Sequence, residues 1–290
     1  MDKKNNIKGE LHLIIIWNKG RNKQAEILED LQNHLTIKNV VEVSWAENLI
    51  KKNYARFYGC KLEEMRSKIK ECGTGSFLLI TVIDKNPIYE YIETSRGHEM
   101  VNKNIFILKQ RYREWTDGGH KIHATNSVQE TDHDLTLLVG KNSSDYLAQN
   151  ALEWDGNINS INQNLVGTDG WESLEQLFYV LNNTIEYFVM RNHEMLPQEF
   201  KSEAHGDIDI QVSDMANARL IMDAKFVHKT PERVHCKTNV NGETVLWDIR
   251  HTSDDYYCAN WQRDLMHNRI LNKKFIYVLN DNDYFYTLVY

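Results

Sequence analysis

The run Ala204-His205-Gly206-Asp207-Ile208-Asp209-Ile210-Gln211-Val212 constrains this chain more than any other. Its β-branched residues predict a short strand, and successive side chains on a strand point to opposite faces. Asp207 and Asp209 then stand side by side on one face, with Ile208 and Ile210 turned toward a core. Adjacent carboxylates repel each other and lose hydration, a cost that a divalent cation between them relieves. A hard, oxygen-seeking ion suits such a pair, which points to Mg2+ (or Mn2+) and so to phosphate chemistry. The plainer alternative is a solvated strand end carrying two exposed aspartates. Thr244-Val245-Leu246-Trp247-Asp248-Ile249-Arg250 weighs against it. This second apolar strand embeds Asp248, and a lone buried acid is costly without a partner or an ion. Pairing the two strands brings Asp248 to the same cation. His205 precedes Gly206 and the acidic strand, close enough to orient a metal-bound oxygen or simply to occupy a turn.

This layout resembles the polymerase-β-like nucleotidyltransferase superfamily, whose members carry an hDhDh strand after a helix and a third Asp on a later strand. The resemblance covers roughly residues 171–290. Trp171 to Asn192 reads as an amphipathic helix running into a short strand (Ile185, Tyr187, Phe188, Val189), followed by a loop with Pro197. The family places Gly-Gly or Gly-Ser after that first strand; this chain has Met190-Arg191-Asn192. Arg191 offers a fork of donors to phosphate instead. The resemblance implies metal-assisted nucleotidyl or phosphoryl transfer, with Asp207, Asp209 and Asp248 as catalytic and metal-binding residues.

With 290 residues the chain has room for two domains. Hydrophobic residues at 41% and charged residues at 26% are those of a globular protein. No apolar run approaches the roughly 18–20 residues that span a bilayer. The start, Met1-Asp2-Lys3-Lys4-Asn5-Asn6, lacks the apolar core of a secretory signal, so a cytoplasmic address is expected. Cys60, Cys72, Cys236 and Cys258 show neither a CxxC pair nor zinc-ligand spacing, and read as reduced thiols. The net charge of −7 disfavours a nucleic-acid partner and is compatible with a nucleotide or a nucleotide-activated small molecule. The basic clusters Arg66, Lys68, Lys70 and Lys109, Arg111, Arg113 read as solvated faces. Residues 150–170, rich in Asn, Gly, Ser and Asp, read as a linker between domains at 1–149 and 171–290.

In the first half, strands are predicted at Leu11 to Trp17, Val40 to Ser44, Ser76 to Ile83 and Ile105 to Leu108. Helices are predicted from Ala25 to Leu35, through Leu49 to Phe57, around Met65 and Ile69, and over Pro87 to Thr94. That order predicts an α+β chain whose N-terminal domain is a ferredoxin-like split βαβ sandwich. It resembles a nucleoside-diphosphate-kinase-like domain over about residues 10–147. The family's histidine segment, Asn-x-x-His-Gly-Ser-Asp, corresponds to His120-Lys121-Ile122-His123-Ala124-Thr125-Asn126-Ser127, preceded by Arg111, Arg113 and Gly118-Gly119. The resemblance implies His123 as phosphate-accepting nucleophile, Asp134 as its orienting carboxylate eleven residues on, and Arg111 and Arg113 as phosphate-binding groups. An imidazole donating to a carboxylate is held in one tautomer, which suits attack on phosphorus. The family's Lys-Pro-Asp after the first strand is replaced by Trp17-Asn18-Lys19. A domain retained for binding or docking is the competing reading, and a structural histidine near a loop is the plain one for His123.

Toward the end, a helix is predicted from Ala259 to Leu271, a strand over Phe275 to Leu279, and a turn at Asn280 to Asp283. The apolar run from Tyr284 to Tyr290 has no polar tail, which predicts that helices completing a nucleotidyltransferase-fold α/β domain lie beyond it. Three functions follow: a Mg2+-dependent nucleotidyl- or phosphotransferase acting on an acceptor hydroxyl, a phosphohistidine phosphotransferase through His123, and a non-catalytic nucleotide-binding or docking protein.

Overall fold

Every side chain from Leu11 to Ile16 is buried, which requires cover on both faces of the strand that carries them, β1 (Glu10–Ile16). The computed structural model describes residues 8–94, 97–198, 206–229 and 234–289. The chain is mixed α+β and divides into two units, Met1–Leu165 and Val166–Tyr290.

In the N-terminal unit, β1 is followed by α1 (Gln24–His34), β2 (Thr36–Ser44), α2 (Ile50–Tyr58), α3 (Met65–Cys72) and β3 (Phe77–Asp84). A two-stranded ribbon comes next, β4 (Tyr89–Thr94) with β5 (Gly97–Asn102), then α4 (Lys103–Trp115) and β6 (Ile122–Ala124). The unit closes with α5 (Val128–Val139), α6 (Ser143–Gln149) and β7 (Asn159–Asn162). The main sheet has the order β6-β1-β3-β2-β7. Strands β6, β1, β3 and β2 pair antiparallel, and β7 runs parallel to β2 at the other edge. One face packs on α1 and α4 through Ile27, Leu31, Ile105, Leu108 and Tyr112. The polar residue inside β1, His12, is fully buried and its ring nitrogens lie 3.3 Å from the Thr125 hydroxyl and 3.1 Å from the Asn102 amide.

Three sequence expectations are corrected here. Ile105 to Leu108 is helix, not strand, because Ile105, Leu108 and Tyr112 recur at helical spacing and the Asn102 side chain accepts from the Ile105 N–H as a cap. The fourth antiparallel strand is instead the edge strand Ile122–Ala124, which carries His123. The predicted helix over Pro87 to Thr94 is replaced by β4, whose Tyr-Glu-Tyr-Ile-Glu-Thr composition favours extended pairing. Residues 150–170 are only partly a linker: Trp154 donates its backbone N–H to the Ile37 carbonyl, β7 lies within the segment, and the unit boundary follows Leu165.

The C-terminal unit contains α7 (Leu174–Thr184), β8 (Tyr187–Val189), β9 (Asp207–Val212), α8 (Met215–Met222), β10 (Lys225–Lys229), β11 (Val234–Val240) and β12 (Glu243–His251). It ends with α9 (Ala259–Asn268), β13 (Ile270–Leu271), β14 (Tyr277–Val278) and α10 (Asp281–Val289). The sheet order is β10-β11-β12-β9-β8-β14-β13. The predicted turn at Asn280 to Asp283 is the start of α10, where Asn280 accepts from the Asp283 N–H. β11 and β12 meet at Asn241-Gly242, both at positive φ (49° and 79°), as a two-residue hairpin turn demands. No helix among the described residues is long and apolar enough to cross a membrane.

Trp17 anchors the other side of the first sheet. It is fully buried, its ring centroid lies 4.7 Å from Phe77 and 5.0 Å from Tyr54, and its Nε1–H donates to the Tyr58 hydroxyl at 3.1 Å. Trp17→Ala is expected to cost about 3–5 kcal/mol of stability, read as a lower urea midpoint by far-ultraviolet circular dichroism.

Candidate functional site

The parallel pairing of β9 with β12 sets Asp209 beside Asp248 and Asp207 beside Leu246. Partners in register on neighbouring strands face the same way. Ile208, Ile210, Trp247 and Ile249 therefore fill the opposite face, where they are buried and Trp247 meets Phe178 of α7 with ring centroids 6.1 Å apart. The apolar alternation that buries one face of these strands presents three carboxylates on the other.

Antiparallel β11 adds a fourth group, for His235 is the register partner of Asp248. Its Nε2 lies 3.6 Å from Asp248 Oδ2 and 4.0 Å from Asp207 Oδ2. That nitrogen is shielded from solvent and makes no hydrogen bond. Asp207, His235 and Asp248 each offer a ligand atom, all within 4.8 Å of one another, and so form a group able to hold a metal ion. The predicted ligand Asp209 is engaged differently. Arg191, at the end of β8, grips it with two hydrogen bonds, Nε to Oδ2 at 2.9 Å and Nη2 to Oδ1 at 3.0 Å. The Asp209 side chain is 6% exposed and that of Arg191 45%, so the guanidinium covers the buried acid and keeps an outer edge in solvent. Arg250 stands on the far side of Asp248, with Nε 3.8 Å from Oδ1 and its guanidinium 4.1 Å over the Tyr256 ring. Gly206 is exposed and has open space where a Cβ would stand, so it forms no tight cradle; His205 lies outside the described residues.

The N-terminal unit holds a second constellation. His123 Nε2 lies 2.7 Å from Asp134 Oδ2, the pairing that the resemblance implied, and His133 Nδ1 lies 2.9 Å from Oδ1 of the same acid. Burial of Asp134 opposes its ionisation, but hydrogen bonds from His123 and His133 outweigh it and hold the carboxyl below its ordinary range. An ionised carboxylate only accepts, so both imidazoles are held as donors toward it, and the second ring nitrogen of a neutral His123 is left with its lone pair. His123 borders a cleft of about 560 Å3 that also includes Lys68, Lys109, Arg113 and His120. Of the basic clusters expected as solvated faces, Arg66 and Lys70 are exposed, whereas Lys68, Lys109 and Arg113 line this cleft. Lys109 is buried, its Nζ donating to the Ala124 carbonyl and Asn126 Oδ1, and burial lowers the pKa of both Lys68 and Arg113. Burial, then Lys68, lowers that of His120. Gly119, at φ 76°, lets the Glu71 carboxylate reach the His120 N–H at 2.7 Å, where a Cβ would collide with Glu71 Oε1.

Arg111 is not part of this cleft. Two helical positions turn a side chain through about 200°, so Arg111 leaves the face shared by Lys109 and Arg113. It bonds to Asp30 Oδ2 at 2.9 Å, which the Tyr112 hydroxyl also reaches. Sequence reasoning missed His235, Lys68 and Lys109. For His235 the Asn-Gly pair at 241–242 was the available signal, because a two-residue turn there places residue 235 opposite 248.

No known family model matches the chain, and no curated protein matches it.

The depressed folded-state pKa of Asp134 has a signed consequence. Its stabilising contribution is fully present above the ordinary carboxyl value of 3.8 and is lost as pH falls below that, through the lower folded value. In acid titrations followed by tryptophan fluorescence, Asp134→Asn is expected to lose stability at neutral pH and to show a shallower decline below about pH 4 than the parent.

Proposed function

We propose that the C-terminal unit is a divalent-cation-dependent transferase that moves a nucleotidyl or phosphoryl group to an acceptor hydroxyl. The observation that carries this reading is the convergence of Asp207, Asp248 and His235 from three adjoining strands, with Asp209 and Arg191 beside them. The donor set fits a divalent cation: two carboxylates supply charge, and a buried, unbonded ring nitrogen faces them. When bound, such an ion neutralises phosphate charge and lowers the pKa of an attacking oxygen. Asp207 and Asp248 would hold the cation, whose charge would offset their repulsion of the donor's phosphate oxygens. Asp209 fixes the Arg191 fork, whose exposed edge contacts the transferred group. The acceptor oxygen forms its bond to phosphorus as the bond to the leaving phosphate breaks, and the hydroxyl proton passes to a carboxylate of the cluster. On this reading the unit has a polymerase-β-like nucleotidyltransferase fold, and its donor is a nucleotide or nucleotide-activated small molecule. The four free thiols suit a reducing, cytoplasmic setting.

A second reading rests on the 2.7 Å contact of His123 with Asp134 and on the cleft beside it, where Lys68, Lys109 and Arg113 stand among glutamates. The strand order β6-β1-β3-β2, with helices between, supports reading this unit as a ferredoxin-like frame of the kind nucleoside-diphosphate-kinase-like domains use. In this reading the His123 nitrogen turned away from Asp134 attacks a terminal phosphorus, and a nucleoside diphosphate leaves. Without turnover, the same cleft is a nucleotide-docking surface.

Incubation with α- and γ-labelled nucleoside triphosphates and Mg2+ or Mn2+ separates these. Transfer that falls about 100-fold or more in Asp207→Asn and Asp248→Asn supports the metal site; unchanged transfer in Asp248→Asn removes it. Acid-labile γ-label on the protein, lost in His123→Ala, supports the second reading. Nucleotide binding indifferent to the cation and to all three aspartates leaves a binding module.

A further inference from the structure

We propose that His235 is a direct metal ligand and makes this centre prefer Mn2+, Fe2+, Co2+ or Zn2+ over Mg2+. The inference rests on the transferase reading for its location but concerns the identity of the ion. Three observations carry it. The ring nitrogen is sealed from solvent and makes no hydrogen bond, an expensive state for a polar atom. Its distances to Asp248 and Asp207, 3.6 and 4.0 Å, exceed those of hydrogen bonds. Ligands bonded at about 2.0–2.2 Å to one ion stand from about 3 Å to somewhat over 4 Å apart, the range these pairs occupy. Lastly, strand register fixes the position: His235 faces Asp248 across a hairpin closed by a two-residue turn.

Donor chemistry then selects the ion. Mg2+ takes oxygen ligands and keeps much of its water, whereas imidazole suits the first-row transition ions and zinc. A site of two carboxylates and one imidazole favours the latter. Asp209, bound by Arg191 on both oxygens, does not restore an all-oxygen set. The rival account makes His235 an imidazolium balancing two carboxylates, which leaves no nitrogen for a metal.

The test is pulsed electron paramagnetic resonance of the full chain loaded with MnCl2 alone, together with calorimetric titration of Mn2+ and Mg2+. Expected are nitrogen-14 modulation of the Mn2+ signal, its loss in His235→Ala, and Mn2+ affinity at least tenfold above that of Mg2+. That ratio should shrink toward one in the variant. His235→Gln, closer in size, serves the same purpose if the alanine variant does not fold. Absence of nitrogen modulation in the parent, or its persistence in a folded His235 variant, overturns the assignment. Mg2+-dependent transfer that survives His235→Ala without nitrogen coupling ends the ligand proposal and leaves the transferase intact. Nitrogen-coupled Mn2+ in a chain that transfers nothing keeps the ligand and ends the transferase.

Discussion

β9 and β12 lie side by side and run in the same direction, and everything the C-terminal unit presents chemically depends on that ladder. Two large effects act on its register and agree. Fully burying a residue such as Ile210 or Ile249 contributes about 1.5–3 kcal/mol, and both are buried here with Trp247. Turning Asp209 or Asp248 into the same core costs several kcal/mol per unpaired charge. A slip of one residue would forfeit the first and incur the second. The acids are thus gathered on one face as a by-product of packing, which is how a weakly favourable arrangement of like charges is sustained.

That arrangement still needs compensation, and each acid receives a different kind. Asp209 is covered by the two-pronged grip of Arg191; Asp248 lies between Arg250 and His235; Asp207, with a quarter of its side chain exposed, keeps water. The cleft of the N-terminal unit mixes both signs, with Lys68, Lys109 and Arg113 among Glu64, Glu71, Glu93, Glu99 and Glu130. There Lys68, Arg113 and His120 crowd together, and burial disfavours their charged forms.

The acidic strand and its partner were legible because period-two alternation is a local property, visible in Asp-Ile-Asp-Ile and in Leu-Trp-Asp-Ile-Arg alike. The His123–Asp134 pair was legible only through the resemblance to nucleoside-diphosphate-kinase-like domains, which implied a carboxylate eleven residues beyond the histidine. What failed was of two kinds. Ile105 to Leu108 is too short an apolar run to distinguish strand from helix until Tyr112 is counted with it. Lys68 and Lys109 looked like surface residues because charge usually goes to the surface; only the tertiary arrangement of α3, α4 and β6 makes a pocket around them. His235 belongs to neither kind. Its placement follows from the Asn-Gly turn by counting, so the information was present and required only that hairpin geometry be extended five residues from the turn.

The same turn bears on how this chain can change over generations. Because β11 is tied to β12 through two residues at positive φ, a change in the turn that slips the pairing by one residue moves His235 to the opposite side of the sheet. Substitutions at the tip are tolerable where the backbone conformation permits, but length is not a free variable. An insertion is compatible with the three-residue centre only where a longer loop or a bulge absorbs it and leaves residue 235 opposite 248.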